Sequence, residues 1–399
     1  VRGMDRSELV ELLSTEGLRL LDSLPPYHSE RDVLRMVSDL RKAGHSPGLV
    51  AAVLTQAKLR SKAKAKFGPF ADRMLFTEAG LEQATRLTVA ARHAGRFQSA
   101  GLERVADLGC GIGGDALAIS ALDIDVLAVD ADEVTAAIAS YNLAPFPGTT
   151  VEHRRAEDVD LRSFDGVFLD PARRTAGHGQ TSRLTDPDEY SPSLGFAFEL
   201  ATGRSLGVKL GPGLDRDLIP STAEAQWVSV DGQVVEMGLW FGVLARPGVG
   251  RAALVIRGES ADELTAASDS DDAETGALGE YLYEPDGSVI RARLIGDLAR
   301  SIDGRMLADG IAYITSDTRT ETPFATGFRV VDTLPFAERD LKRALRERGI
   351  GTLEIKKRGV DVDPATLRKR LSLSGQKSAT LLLTRVAGKH TALLVERIH

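Results

Sequence analysis

Along the first quarter of the chain, apolar residues recur at helical spacing. After Ser29, the residues Val33, Leu34, Val37 and Leu40 fall on one face, Gly44 ends the run and Ser46-Pro47 opens the next. Residues 1–95 are therefore expected to form an N-terminal helical region. Between about 103 and 257 the texture changes to short apolar runs separated by Gly- and Asp-bearing turns: RVADLG, DVLAVD, GVFLD, SLGVKL, WVSV, VVEMGLWFGVL and AALVI. Helix-length stretches between the early runs predict an α/β domain with a doubly wound, Rossmann-like sheet over 96–258. Only ARPGVGR separates the last two runs, which predicts a terminal antiparallel hairpin between them. The following GESADELTAASDSDDAETGALGE is acidic and almost without large apolar residues, so 259–280 is expected as a solvated linker. Strand-like runs (YLYEP, GIAYITS, GFRVVDTL, GTLEIKKRGV, ATLLLTRV, TALLVERI) and helical stretches at 335–348 and 364–373 then predict a C-terminal α+β module over 281–399.

Composition narrows the function classes. With 399 residues and 43% hydrophobic residues the chain can core two or three domains. The single cysteine, Cys110, excludes a disulfide framework and CxxC-type metal sites, and a reducing, cytoplasmic setting is expected. The segment VRGMDRSELVELL lacks the apolar core of a secretory signal, and no long apolar run suggests a membrane span. The net charge of −7 hides an asymmetry, because residues 331–399 carry 15 Lys+Arg against 8 Asp+Glu. A second basic run, AKLRSKAKAK, groups Lys58, Arg60, Lys62, Lys64 and Lys66. Either can be a solvated face or a contact for phosphate.

The most specific signal is VADLGCGIGGDALAIS, residues 105–120. A strand ends at Asp107, and Gly109, Gly111, Gly113 and Gly114 let the backbone turn tightly and approach a ligand before a helix begins. The spacing D-x-G-x-G-x-G differs from a dinucleotide fingerprint. A pyrophosphate favours bare helix-N-terminal amides, whereas an acidic strand end suits a cationic ligand. A second strand ends in Asp130, where a carboxylate can accept both hydroxyls of a ribose. After a third, RRAEDVD supplies Glu157 and Asp158 to receive an adenine amino group, and a fourth ends in Asp170-Pro171-Ala172-Arg173. No His/Asp/Glu spacing suggests a metal site.

Residues 104–170 resemble the core of class I S-adenosylmethionine-dependent methyltransferases. LDPARR, YLYEPDGSVIRARL (281–294) and the LEIKKRG…LRKRL…ATLLLTR run resemble, more narrowly, bacterial methyltransferases with a C-terminal THUMP-like domain. That resemblance implies a ferredoxin-like piece near 281–325 and a THUMP-like piece near 326–399, with S-adenosylmethionine as cofactor and RNA, tRNA or rRNA, as partner. It places Asp107, Gly109, Gly111 and Gly113 at the methionine end, Asp130 at the ribose and Glu157 or Asp158 at the adenine. FTEAGLEQAT (76–85) resembles the family's stretch covering the cofactor, which adds Phe76, Gln83 and Thr85.

Asp170, Pro171 and Arg173 occupy the place of the (D/N/S)-P-P-(Y/F/W) motif of nitrogen methyltransferases. There the first side chain accepts a hydrogen bond from an exocyclic amine. Ala172 and Arg173 replace the second proline and the aromatic, and an arginine plane can stack on a base or hold a phosphate. Arg173, Arg174 and Arg183 are candidates for a phosphate-binding lip, while His178 reads as a loop residue. Cysteine-assisted methylation of a pyrimidine carbon would need a thiolate in the catalytic pocket, and Cys110 lies in the cofactor loop. The expected activity is methylation of an exocyclic nitrogen of an RNA base. Methylation of a small molecule or protein, and a non-catalytic RNA-binding role, are the alternatives.

Overall fold

The computed structural model describes residues 6–25, 30–173 and 190–398. Contacts divide the chain into two units, Val1–Leu210 with Trp240–Ala245, and Gly211–Leu239 with Arg246–His399.

Among the described residues the first unit opens with six α-helices, α1 (Arg6–Leu13), α2 (Thr15–Ser23), α3 (Glu30–Lys42), α4 (Pro47–Phe67), α5 (Glu78–Gln83) and α6 (Leu87–Ser99). Ser46 caps α4 by accepting from the Leu49 amide at 3.0 Å, and Pro47 supplies a pre-set first turn. The buried face of α4 (Leu49, Val53, Leu59, Ala63, Phe67) packs into one core with Leu12, Leu75, Phe97 and Phe168. The basic run on α4 divides. Arg60 is buried and donates to the Met74 carbonyl, and Lys66 donates to the Leu81, Glu82 and Ala84 carbonyls. Arg60 and Lys66 thus hold the helix to its neighbours, and Lys64 pairs with Asp72 at 3.1 Å.

Alternating elements follow: β1 (Arg104–Leu108), α7 (Gly114–Ser120), β2 (Asp125–Asp130), α8 (Glu133–Leu143), β3 (Thr149–His153), β4 (Gly166–Leu169), the two-residue strands β5 (Ala172–Arg173) and β6 (Tyr190–Ser191), α9 (Leu194–Ala201) and β7 (Ser205–Leu210). The strands β3-β2-β1-β4-β7 lie side by side and parallel. Covered on both faces, β4 reads as a continuous apolar run, and β1 is buried from Val105 to Leu108 with Asp107 its one acidic residue. The order reverses between β1 and β4, and such a switch point opens a crevice at the carboxyl ends of the strands.

The second unit begins with β8 (Glu224–Val230) and β9 (Gln233–Phe241), whose last two residues belong to the first unit. They are joined through Asp231 and Gly232, both at positive φ as a two-residue hairpin turn requires. Next come β10 (Arg251–Arg257) and β11 (Ser260–Ala266), with β10 parallel to β8 and antiparallel to β11. The terminal antiparallel hairpin therefore falls one strand later than the sequence suggests. It takes in residues expected as linker. As an edge strand β11 needs few apolar residues, and its Glu263 reaches Arg246 and Gln226.

The remaining elements are β12 (Tyr281–Pro285), α10 (Gly287–Arg291), α11 (Ile295–Ser301), β13 (Arg305–Ala308), β14 (Ile311–Ser316), β15 (Ala325–Leu334), α12 (Glu338–Glu347), β16 (Ile350–Lys357), α13 (Pro364–Leu371), β17 (Lys377–Val386) and β18 (Lys389–Arg397). Their seven strands form one sheet in the order β13-β14-β12-β15-β18-β17-β16. The pieces expected at 281–325 and 326–399 thus share a sheet. Leu341 and Leu345 of α12 and Leu367 and Leu371 of α13 pack with Leu353, Leu381 and Leu383 of the strands. Among the described residues no helix is long and apolar enough to cross a membrane.

Candidate active site

Three carboxylates gather at the carboxyl ends of adjacent strands in the first unit. Asp107 sits one residue before the end of β1 and in register with Ala128 of β2 and Phe168 of β4, so Asp130 and Asp170 each stand two residues further along.

Gly109, Gly111 and Gly113, in the loop after β1, have φ values of +86°, +56° and +87°. At Gly109 a Cβ would lie 3.0 Å from the Asp170 carbonyl oxygen, so the loop can pass β4 only without a side chain. At Gly111 nothing lies within 4 Å of where a Cβ would stand, which leaves bare backbone facing open space. Its amide donates to Asp130 Oδ2 at 3.0 Å, while the Asp132 amide donates to Oδ1 at 2.8 Å. Both oxygens of Asp130 are thereby aimed, and each keeps a second lone pair for a ligand hydroxyl. Burial pushes the Asp130 carboxyl up, against the pull of the two amides.

Asp107 is 1% exposed, and neither carboxylate oxygen has a hydrogen-bond partner. Burial, reinforced by the nearby charges of Asp115 and Asp170, pushes its carboxyl well above the ordinary range. Buried polar atoms are nearly always satisfied, so an orphaned carboxyl beside a glycine cradle is a site completed by a donor from outside, best a cationic one.

Lys209, on β7, ties the other acids together. Its Nζ lies 2.5 Å from Asp170 Oδ2, 2.8 Å from Thr85 Oγ1 and 3.9 Å from Asp115 Oδ2. Asp115, in the first turn of α7, accepts from Thr85 Oγ1 at 2.6 Å and faces His93 Nδ1 at 2.8 Å. Burial alone would raise the Asp115 carboxyl, but His93, Lys209 and Thr85 hold it below the usual range. The His93 ring lies 5.2 Å from Phe168 and 5.6 Å from Trp240, which fixes its plane. Asp170 itself keeps 34% of its side chain exposed, so the network reaches the crevice there.

The fold brings Asp107, Gly109, Gly111, Gly113, Asp130, Asp170 and Thr85 to one end of the sheet. Pro171 is buried next to Asp170, and Arg173 pairs through its backbone with Tyr190. Glu157 and Asp158 lie exposed in a single turn after β3, Glu157 facing Arg155 at 3.4 Å. Gln83 is exposed at the end of α5, and Phe76 is fully buried against Phe67, with its backbone held by Gln56. Arg174, His178 and Arg183 lie outside the described residues. Burial pushes the Cys110 thiol well up, which opposes any role as a thiolate nucleophile.

Sequence reasoning missed Lys209, Asp115 and His93. The available signal for Lys209 is a cation inside the otherwise apolar strand SLGVKL, and such a residue is seldom buried unless paired.

Comparison with known proteins agrees with this architecture. Residues 325–397 match the model of a THUMP domain-like family, and residues 5–63 match a domain of unknown function (DUF8688). A crystal structure from Porphyromonas gingivalis W83, assigned as a methyltransferase, superimposes with a TM-score of 0.72 over 99% of both chains at 20% identity, which shows the fold. The chain is 33% identical, over 87% of its own length and 94% of theirs, to uncharacterized S-adenosylmethionine-dependent methyltransferases from two strains of Mycobacterium tuberculosis. A likeness of that extent, on a sheet whose carboxyl end carries this glycine loop and these carboxylates, shows that the chain belongs to the S-adenosylmethionine-dependent methyltransferases.

Proposed function

We propose that the protein methylates an exocyclic nitrogen of an RNA base. The observation that carries this reading is Asp170, a part-exposed carboxylate just past the carboxyl end of β4, beside the glycine loop and backed by the largely enclosed Lys209. S-adenosylmethionine, when bound, supplies an electrophilic methyl group. Asp107 receives the cation of its methionine end, the bare backbone at Gly111 leaves room beside it, and Asp130 accepts the ribose hydroxyls. Asp170 accepts a hydrogen bond from the target amine and so aims the nitrogen lone pair away from itself. As the nitrogen takes the methyl, with S-adenosylhomocysteine as the leaving group, it gains positive charge that the fixed carboxylate stabilises without reorganising, and its surplus proton then passes to water at the exposed side of Asp170. Lys209, 2.5 Å from Asp170 Oδ2, holds that carboxylate in place between turnovers. The THUMP domain-like match and the basic C-terminal stretch support RNA as the substrate class.

Transfer of labelled methyl to total RNA from cells lacking the protein, followed by digestion to nucleosides, is the direct test. Label in an N-methylated nucleoside is expected. Label in carbon-methylated nucleosides, in protein or in small molecules would overturn the reading. Asp170→Ala should abolish labelling while still binding S-adenosylhomocysteine, as followed by titration calorimetry.

Asp130 gives an independent check on the cofactor arrangement. Asp130→Ala removes two charge-assisted acceptors and should weaken S-adenosylhomocysteine binding by about 1–3 kcal/mol, read in the same calorimeter. Unchanged affinity would remove Asp130 from the ribose.

A further inference from the structure

The segment YLYEPDGSVIRARL takes no part in the site above, yet two of its arginines meet a third in an open cleft of the second unit. The cleft has a volume of about 430 Å³, and Leu214, Arg216, Ile290, Arg291 and Arg293 line it beside the buried Trp227. The arginines are braced rather than loose. Arg216 lies 5.7 Å from the Trp227 ring centroid and donates to the Arg291 carbonyl at 2.6 Å, while Arg291 donates to the Pro212 carbonyl at 2.9 Å. Asp269 is shared: Arg216 meets both its oxygens at 2.6 and 2.7 Å, Arg251 approaches at 2.8 Å and Arg293 at 4.0 Å. One carboxylate among four guanidinium groups leaves the cluster positive. Burial lowers the Arg216 pKa, and the charges of Arg251 and Arg293 add to this against the pull of Asp269.

Arg293 provides an independent sign. It follows Ala292, the C-cap of α10, with a φ of +60°, a position where glycine is favoured and a side chain is strained. Its side chain is 55% exposed, so the strained backbone presents a guanidinium to solvent.

We propose that this cleft binds a phosphodiester of the RNA substrate. The inference rests on the RNA reading given above. Planar guanidinium forks match phosphate oxygens in pairs, and an open rather than enclosed cleft admits a polymer backbone. In a chain of net charge −7, a local excess of arginine is what a polyanion would require.

The test uses the full chain with Arg291→Gln and Arg293→Gly combined, and a fluorescently labelled single-stranded oligoribonucleotide of mixed sequence. Anisotropy across a salt series should show roughly tenfold weaker binding at low salt. Loss of two phosphate contacts should also flatten the log–log salt dependence by about 1.4. Binding of S-adenosylhomocysteine should stay unchanged, and the melting midpoint should hold or rise, because glycine relieves the backbone at 293. Equal affinity and equal salt slope for variant and wild type would overturn the phosphate site while leaving the RNA reading intact. Failure of the wild type to bind RNA at any salt would overturn both. Should the double variant melt early, Arg291→Gln alone is expected to show half the change in slope, and no change would equally refute the site.

Discussion

Asp107→Asn is expected to make the cofactor-free protein more stable and a poorer binder of its cofactor at once. The carboxyl is fully buried and without a partner, so at neutral pH the folded state bears a cost that the unfolded chain, with its carboxyl in water, does not. Relief of that cost is worth on the order of 1–3 kcal/mol. The sign with pH follows from linkage. Because the folded pKa is raised, the native state binds the extra proton between the unfolded carboxylate range and its own higher value, and stability falls as pH rises through that window. Asp115 acts in the opposite sense. Its lowered folded pKa contributes stability above the unfolded value that is lost as pH drops through the folded one. Thermal melts of wild type over pH should therefore lose stability on the alkaline side relative to Asp107→Asn, and the two curves should meet in acid. The same substitution removes the anionic partner of the ligand, so S-adenosylhomocysteine should bind roughly ten- to a hundredfold more weakly. For the wild type this binding should tighten as pH rises, since the ligand favours the ionised carboxyl. A variant that loses stability and keeps its affinity would show that Asp107 belongs to the core rather than to the cofactor.

What could be read from the sequence alone follows a physical line. The glycine loop and its strand were legible because the chemistry is local. A parallel strand buried on both faces reads as a mainly apolar run, here broken only by Asp107 after Arg104, and the turns at 109, 111 and 113 require the φ values that glycine tolerates. The acids at 107, 130 and 170 were legible for the same reason, each standing at a strand end. Lys209 was not. Its partners Thr85 and Asp170 lie 124 and 39 positions away, and only the side-by-side placement of β4 and β7 brings the cation to the acid. Arg60 and Lys66 mislead in the opposite direction. Within AKLRSKAKAK they read as part of a charged surface, whereas the helix turns them onto backbone carbonyls. Strand β11 was obscured because an edge position asks little of its residues beyond extended backbone.

Lys209 carries the other large expected effect, and it separates charge from packing. Lys209→Met keeps the length of the side chain but leaves Asp170 and Asp115 facing each other without the shared cation. Removing one partner from a buried ion pair costs about 3–5 kcal/mol, and because Asp170 is partly exposed the loss should fall toward the lower bound. Turnover should fall with it, since an unanchored Asp170 no longer presents a fixed acceptor to the amine. The double variant Lys209→Met/Asp170→Ala removes both charges and should recover most of the lost stability without recovering activity, while S-adenosylhomocysteine still binds through Asp107 and Asp130. A melting series and a methyl-transfer assay on wild type, both single variants and the double variant complete the cycle. A double variant as unstable as Lys209→Met would place the lysine's main debt with Asp115 and Thr85 instead. Full activity in Lys209→Met would mean that Asp170 needs no cation behind it and that the ion pair only joins β4 to β7.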